Sequence, residues 1–271
     1  MSEQLILASE CDVANEVICA PADVKELFEL PTVFQIGELA ITRTIILIFL
    51  AAFIVLALLY FGLRKGSVIP SKFQAVVESL VQFVRKDVAE DIIGPEGVKY
   101  APYLTSMFLF LLVGNLFEVT PLINFPITSR MAIPAFLAVV TWVIFVVVGF
   151  AKNGFSYFLD TVWPKSVPIG LRWLVGLIEL VSVFVLRPLT LAVRLFANLV
   201  AGHLMLTLLL GSGAIFIWNF ADAGAKSLVG VAWFAFGLGI YLFEIVVAVL
   251  QAYIFTLLSA VYIQSSVHPE H

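Results

Sequence analysis

The chain has 271 residues, 62% of them hydrophobic and 13% charged, with a formal net charge of −4 and a mean hydropathy of +1.07. Soluble domains carry about 25% charged residues, so a water-soluble globule is excluded and the lipid bilayer becomes the main solvent. A hydrocarbon core about 30 Å thick needs about 20 apolar residues per helix, which leaves room for five or six crossings. The fold class expected is therefore an all-α integral membrane protein. No nucleic-acid partner and no cofactor are expected.

Residues 1–40 form an acidic arm with eight acidic side chains and one Lys. The arm lacks the basic n-region of a secretory signal and the Arg-rich character of a transit peptide. Cys11 and Cys19, the only cysteines, make no metal pattern; a disulfide is open to them if the arm lies outside the cell. The first apolar run spans 41–63. Residues 70–93 then repeat apolar residues at helical spacing, with Lys72, Glu78, Arg85, Lys86 and Asp87 in the gaps. That pattern predicts an amphipathic helix, lying on the membrane surface or packed on another subunit. Further spans are expected at 102–123, 131–151, 169–210 and 226–264. A turn is expected over 211–224.

Short loops rich in Lys and Arg stay cytoplasmic. The connection 64–101 has six basic residues and 152–172 has three, against one each in 125–131 and 211–227. Five crossings then put the N-terminal arm outside and the C-terminus in the cytoplasm, with 41–271 as the membrane domain. Trp163 and Trp173 flank the inner loop, and Trp218 and Trp233 the outer turn, as interface anchors. The last two runs are too long for an upright crossing, since about 42 residues rise about 63 Å. A tilt of about 20° cannot absorb that excess, so a strongly tilted hairpin is expected, with a candidate bend at Pro188.

Several polar groups lie where charge is expensive. The penultimate run carries Glu179, Arg187, Arg194, Asn198 and His203, the last carries Glu244 and Gln251, and the second span carries Asn115 and Glu118. An Arg near mid-bilayer costs about 3 kcal/mol on insertion scales and more in simulations. Arg187 can snorkel to the headgroups, whereas Arg194 lies near the middle of its run. Spacings of seven and four put Arg187, Arg194 and Asn198 on one side of a helix, while His203, nine after Arg194, falls half a turn away. Glu244 and Gln251, seven apart, share a face. By depth, Asn115, Glu118, His203 and Glu244 gather towards the outside, and Glu179 towards the inside. His and Glu can exchange protons when burial shifts them. Arg stays protonated, so Arg194 reads as a gate charge between two polar patches. It needs a mobile carboxylate supplied by a partner.

The segment Arg187-Pro188-Leu-Thr-Leu-Ala-Val-Arg194-Leu-Phe-Ala-Asn198, continuing to Ala201-Gly202-His203, resembles the signature of subunit a of rotary F-type ATP synthases. Glu244 to Phe255, with Leu250-Gln251-Ala252-Tyr253, is similar to that family's last-helix motif, and Asn115-Leu-Phe-Glu118 through Pro121 to one of its earlier spans. The resemblance implies the stator part of a proton channel, not catalytic by itself, set in the bacterial plasma membrane. Its implied partners are a ring of c subunits with mid-membrane carboxylates, the peripheral-stalk b subunit and the rest of the synthase. It implies that Arg194 is the essential arginine and that His203 and Glu244 are a coupled channel pair, exchanged relative to members with Glu first and His second. It also implies that Asn198 and Gln251 act near the arginine, and that Asn115 and Glu118 belong to the outer half-channel. Two departures stand out. Ala197 replaces a frequent Gly, and Glu179, assigned to the inner half-channel, lies one residue farther from Arg187 than the family pattern.

The main alternative is a secondary ion or solute transporter, although no internal repeat or pair of broken helices is visible. An intramembrane enzyme lacks HExxH, and Gly211-Ser212-Gly213 has no nearby His base. A voltage sensor would place Arg at every third position. His203 and Glu244 alone fall short of a metal coordination set.

Overall fold

The computed structural model describes residues 11, 18–19, 32–36, 39–64, 70–120, 123, 127–163, 168, 170–219 and 224–267. Most of the acidic arm, Lys65, and the loop residues Pro126, Pro164 and Lys165 lie outside them. Among the described residues, five helical stretches are long and apolar enough to cross a membrane: Arg43–Leu63, Pro95–Val119, Ala132–Asn153, Arg172–Trp218 and Lys226–Val267. The fold is the helical membrane class expected, including two very long C-terminal helices of 47 and 42 residues. The arm adds a feature that its polar composition hid, a two-stranded antiparallel hairpin of β1 (Thr32–Ile36) and β2 (Leu39–Thr42).

The helices are α1 (Arg43–Leu63), α2 (Lys72–Phe83), α3 (Ala101–Val119), α4 (Ala132–Asn153), α5 (Ser156–Val162), α6 (Arg172–Val181), α7 (Arg187–Trp218) and α8 (Lys226–Val267). The chain divides into two compact units.

One unit comprises Met1–Phe49, Gly114–Ser129 and Ala197–Val249. It contains the hairpin, the start of α1, the end of α3, most of α7 and the first half of α8. Arg43, at the head of α1, donates from Nη2 to the Ile123 carbonyl at 2.9 Å. Here α7 and α8 pack antiparallel through small residues. A methyl group on Gly213 would stand 2.7 Å from the Phe234 amide nitrogen, one on Gly230 2.5 Å from Phe216 Cβ, and one on Gly237 2.7 Å from Leu210. The paired positions advance in opposite directions along the two helices, as a hairpin requires. Small residues let helix backbones approach where lipid provides no hydrophobic drive.

The other unit comprises Leu50–Val113, Arg130–Phe196 and Leu250–His271. Ser71 caps α2 by accepting from the Gln74 amide, which satisfies an orphan donor of the first turn. The helix then widens into a π-helical stretch, Val84–Ile93, and stops at Gly94, whose φ of +91° favours glycine. Gly154, at φ +59°, ends α4 in the same way and admits the short α5. Tyr157 of α5 shares a hydrogen bond with Ser266 at 3.2 Å, and Asn153 donates to the Ser266 carbonyl at 2.9 Å. These contacts tie the end of α8 to α4 and α5. Lys152 pairs with Glu96, and the Phe83 ring packs on Phe108 and Tyr253.

Three sequence expectations change. Residues 211–218 are helix, not turn, because their glycines serve close packing against α8 rather than chain reversal. The polar stretch after Lys152 holds α5. The irregularity near Pro188 is a π-helical turn over Ser182–Leu186, in which the Arg187 amide reaches the Ser182 carbonyl. Proline cannot donate to the carbonyl four residues back and its ring crowds that carbonyl, so a wider turn ahead of it relieves both faults.

Candidate functional site

In the first unit, three helices bury four of the named residues. Asn115 and Glu118 come from α3, His203 from α7 and Glu244 from α8, with exposures of 0, 1, 1 and 7%. Asn115 donates from Nδ2 to the Ala248 carbonyl at 3.2 Å. One turn along, the Tyr241 hydroxyl donates to the Val119 carbonyl at 2.5 Å. These two bonds pin α3 to α8 on either side of Glu118. Glu118 and Glu244 thus lie on two helices that these bonds hold together. Opposite them, α7 presents Gly202, where a methyl group would approach the Glu244 carboxyl carbon and Oε2 to 2.7 Å. Glycine at 202 therefore gives Glu244 its space. Asn115 Oδ1 and Glu118 Oε1 are buried without a hydrogen-bond partner among the described residues.

In the second unit, Arg187 is tied down. Its Nη1 donates to Ser265 Oγ at 2.9 Å, and its guanidinium carbon stands 5.3 Å from the Tyr262 ring centroid. Snorkelling is thus replaced by an internal partner on α8. Arg194 differs. It is exposed on α7, and no ion pair or hydrogen bond reaches its side chain from the described residues. Leu189 and Val193 are exposed with it on α7, and in the first unit Ala197, Ala201 and Met205 are exposed on the same helix. Glu179, on α6, is half-buried. Gln251 is buried on α8, and its Nε2 has no partner among the described residues; in the first unit the same is true of Asn198 Nδ2 on α7. Among the described residues, no three His, Cys, Asp or Glu side chains gather to hold a metal.

Sequence reasoning did not find Tyr241, Ser265 or Tyr262, and it gave Gly202 no role of its own. Tyr241 stands three residues before Glu244, so it shares that face of the helix; this was the available signal. The bond from Arg187 to Ser265 links residues 78 apart, and local spacing carries no trace of it.

Ionisable and amide side chains buried inside long apolar helices define an ion-handling, multi-span membrane protein. A family model described as ATP synthase A chain matches residues 45–264. The chain belongs to that family. It is 39% identical over 254 residues to ATP synthase subunit a of Frankia alni, covering 91% of this chain and 86% of the relative. It is 36% identical over 259 residues to subunit a of Cereibacter sphaeroides strain ATCC 17025, covering 96% and 93%, and 34% identical over 239 residues to that of Rhodococcus erythropolis, covering 88% and 84%. The chain is thus a multi-pass plasma-membrane subunit of a bacterial ATP synthase, proton-translocating and not catalytic by itself. Family membership displaces the transporter alternative.

Proposed function

We propose that this subunit is the stator half of a rotary proton channel and that Arg194 is its gate charge. The observation that carries the reading is Arg194 itself, a permanent cation on an exposed and largely apolar helix face, with no ion pair to an acid among the described residues. A mid-membrane carboxylate on a passing c-ring subunit supplies the missing countercharge. When that carboxylate meets the guanidinium, its ionised form is favoured and its proton leaves. Because Arg194 never gives up its own proton, protons cannot pass it directly, and entry and exit stay separate.

Two half-channels follow. Asn115, Glu118, His203 and Glu244 form the outer one, with Glu244 and His203 as the proton-exchanging groups. Glu179 opens the inner one, and Asn198 and Gln251 act near the arginine. Buried amide and carboxyl atoms without protein partners are costly; in a proton path water is their partner, and this favours the reading. In this arrangement the acidic arm, residues 1–40, lies outside, 41–271 form the membrane domain, the C-terminus is cytoplasmic, and the b subunit of the peripheral stalk binds the membrane domain.

The test is cross-linking in the assembled synthase. Cysteine placed at Ala197, one turn from Arg194 and exposed on α7, is paired with cysteine one turn from the ring carboxylate. Oxidation should join the two chains. If α7 gives no product while a cysteine on the exposed face of α1 does, the ring lies elsewhere and the proposal fails.

A further inference from the structure

The N-terminal arm and Gly211-Ser212-Gly213 have no part in the reading above, yet the structure joins them. Cys11 and Cys19 form a disulfide. Cys19 is fully buried and packs on Ile215 and Phe216 of α7, with Cys11 beside it. Ser212, also fully buried, accepts from the Cys19 amide at 2.9 Å and donates to the Cys19 carbonyl at 3.3 Å. One hydroxyl thus holds both backbone groups of one residue. Serine and threonine inside helices commonly donate to the carbonyl four residues back. Thr190, Thr207, Thr256 and Ser259 all do so here. Ser212 turns its hydroxyl to the arm instead.

We propose that the Cys11–Cys19 disulfide, which packs on Ile215 and Phe216 towards the Trp218 end of α7, is a redox-released latch, and that its release changes proton conduction. The disulfide limits the conformations open to the loop, and so lowers the cost of holding Cys19 in the Ser212 clamp. Reduction proceeds by attack of a dithiol on one sulfur. The S–S bond breaks and a mixed disulfide forms, which then resolves to two cysteine thiols and the reductant's own disulfide. Two electrons and two protons pass to the cysteines. Cys19 then leaves the Ser212 clamp, uncovers Ile215 and Phe216 and loosens α7 beyond His203, nine residues before Ser212. Re-latching requires a disulfide carrier of the thiol-oxidoreductase class to take the electrons back.

The test uses intact synthase in membrane vesicles, read by hydrogen exchange at the Cys19 amide and by passive proton flux after removal of the catalytic head. A dithiol should speed exchange about tenfold or more, as expected when a local tie opens, and change flux about twofold or more. Ser212→Ala should speed exchange to a similar degree with the disulfide still closed, as alkylation mass confirms. In Cys11→Ser/Cys19→Ser the dithiol should have no effect. Exchange indifferent to reduction and to Ser212→Ala overturns the latch. Exchange that rises while flux stays constant also overturns the proposal, leaving only a structural tie. A membrane-impermeant dithiol, added to right-side-out vesicles, tests the arm's placement separately. If only a permeant dithiol acts, the latch stands and the proposed orientation falls.

Discussion

Gly202 of α7 and Glu244 of α8 are fitted to each other: a single methyl group on the glycine would come within 2.7 Å of the glutamate's Oε2. The contact places a carboxyl group flush against a helix backbone, in a unit that also buries Glu118, His203 and Asn115.

Gly202→Ala should therefore push the Glu244 carboxyl away from α7. The carboxyl is the far end of a flexible side chain, so it can swing aside at little cost to folding. Passive proton flux through head-stripped vesicles should fall about tenfold or more while the subunit still assembles. Adding Glu244→Asp, which shortens the acid by one methylene, should recover part of the flux. A silent Gly202→Ala would show that Glu244 does not need its present seat.

Tyr241→Phe removes one hydrogen bond, to the Val119 carbonyl at the end of α3. A typical protein hydrogen bond contributes about 1 kcal/mol net, and leaving a buried carbonyl unpaired costs about 1–3 kcal/mol. The variant should lower the thermal stability of the isolated membrane sector and slow proton flux by loosening the segment that carries Glu118. Flux and stability both equal to wild type would remove Tyr241 from any positioning role.

Much of this arrangement is legible in the sequence. The apolar runs identify the crossings, and the long last two runs announce their excess length. Helical phase separates Arg194, exposed on α7, from His203, buried on the same helix. What spacing cannot show is which side chain meets which across helices. Arg187 and Arg194 share a nominal side of α7, yet only Arg187 finds Ser265 and Tyr262. The glycines at 211 and 213 signal equally a turn or a close helix contact, and only the position of Phe234 decides. The clamp of Ser212 on Cys19 links residues 193 apart, beyond any local pattern.

Exchanging the proposed channel pair, with His203→Glu and Glu244→His together, keeps one acid and one imidazole among the buried residues of the first unit. The double variant should retain more ATP-driven pumping than either single change. Residues acting as one network show coupling of about 0.5–3 kcal/mol, so the departure from additivity should be measurable. If both single variants pump normally, the pair has no role.

Arg187→Ala should leave Ser265 and the Tyr262 ring without their cation. A cation–π contact contributes about 0.5–2 kcal/mol, so the loss should appear as poorer assembly or lower melting temperature, with Arg187→Lys partly restoring it. A defect confined to pumping, with assembly intact, would place Arg187 in the proton path instead.

The central claim is that a fixed cation at position 194 separates two proton routes. ATP-driven proton pumping into inverted vesicles by Arg194→Ala, with the complex shown to be assembled, tests it most directly. Pumping should be abolished, and the vesicles should leak protons passively. Pumping at the wild-type rate would contradict the account.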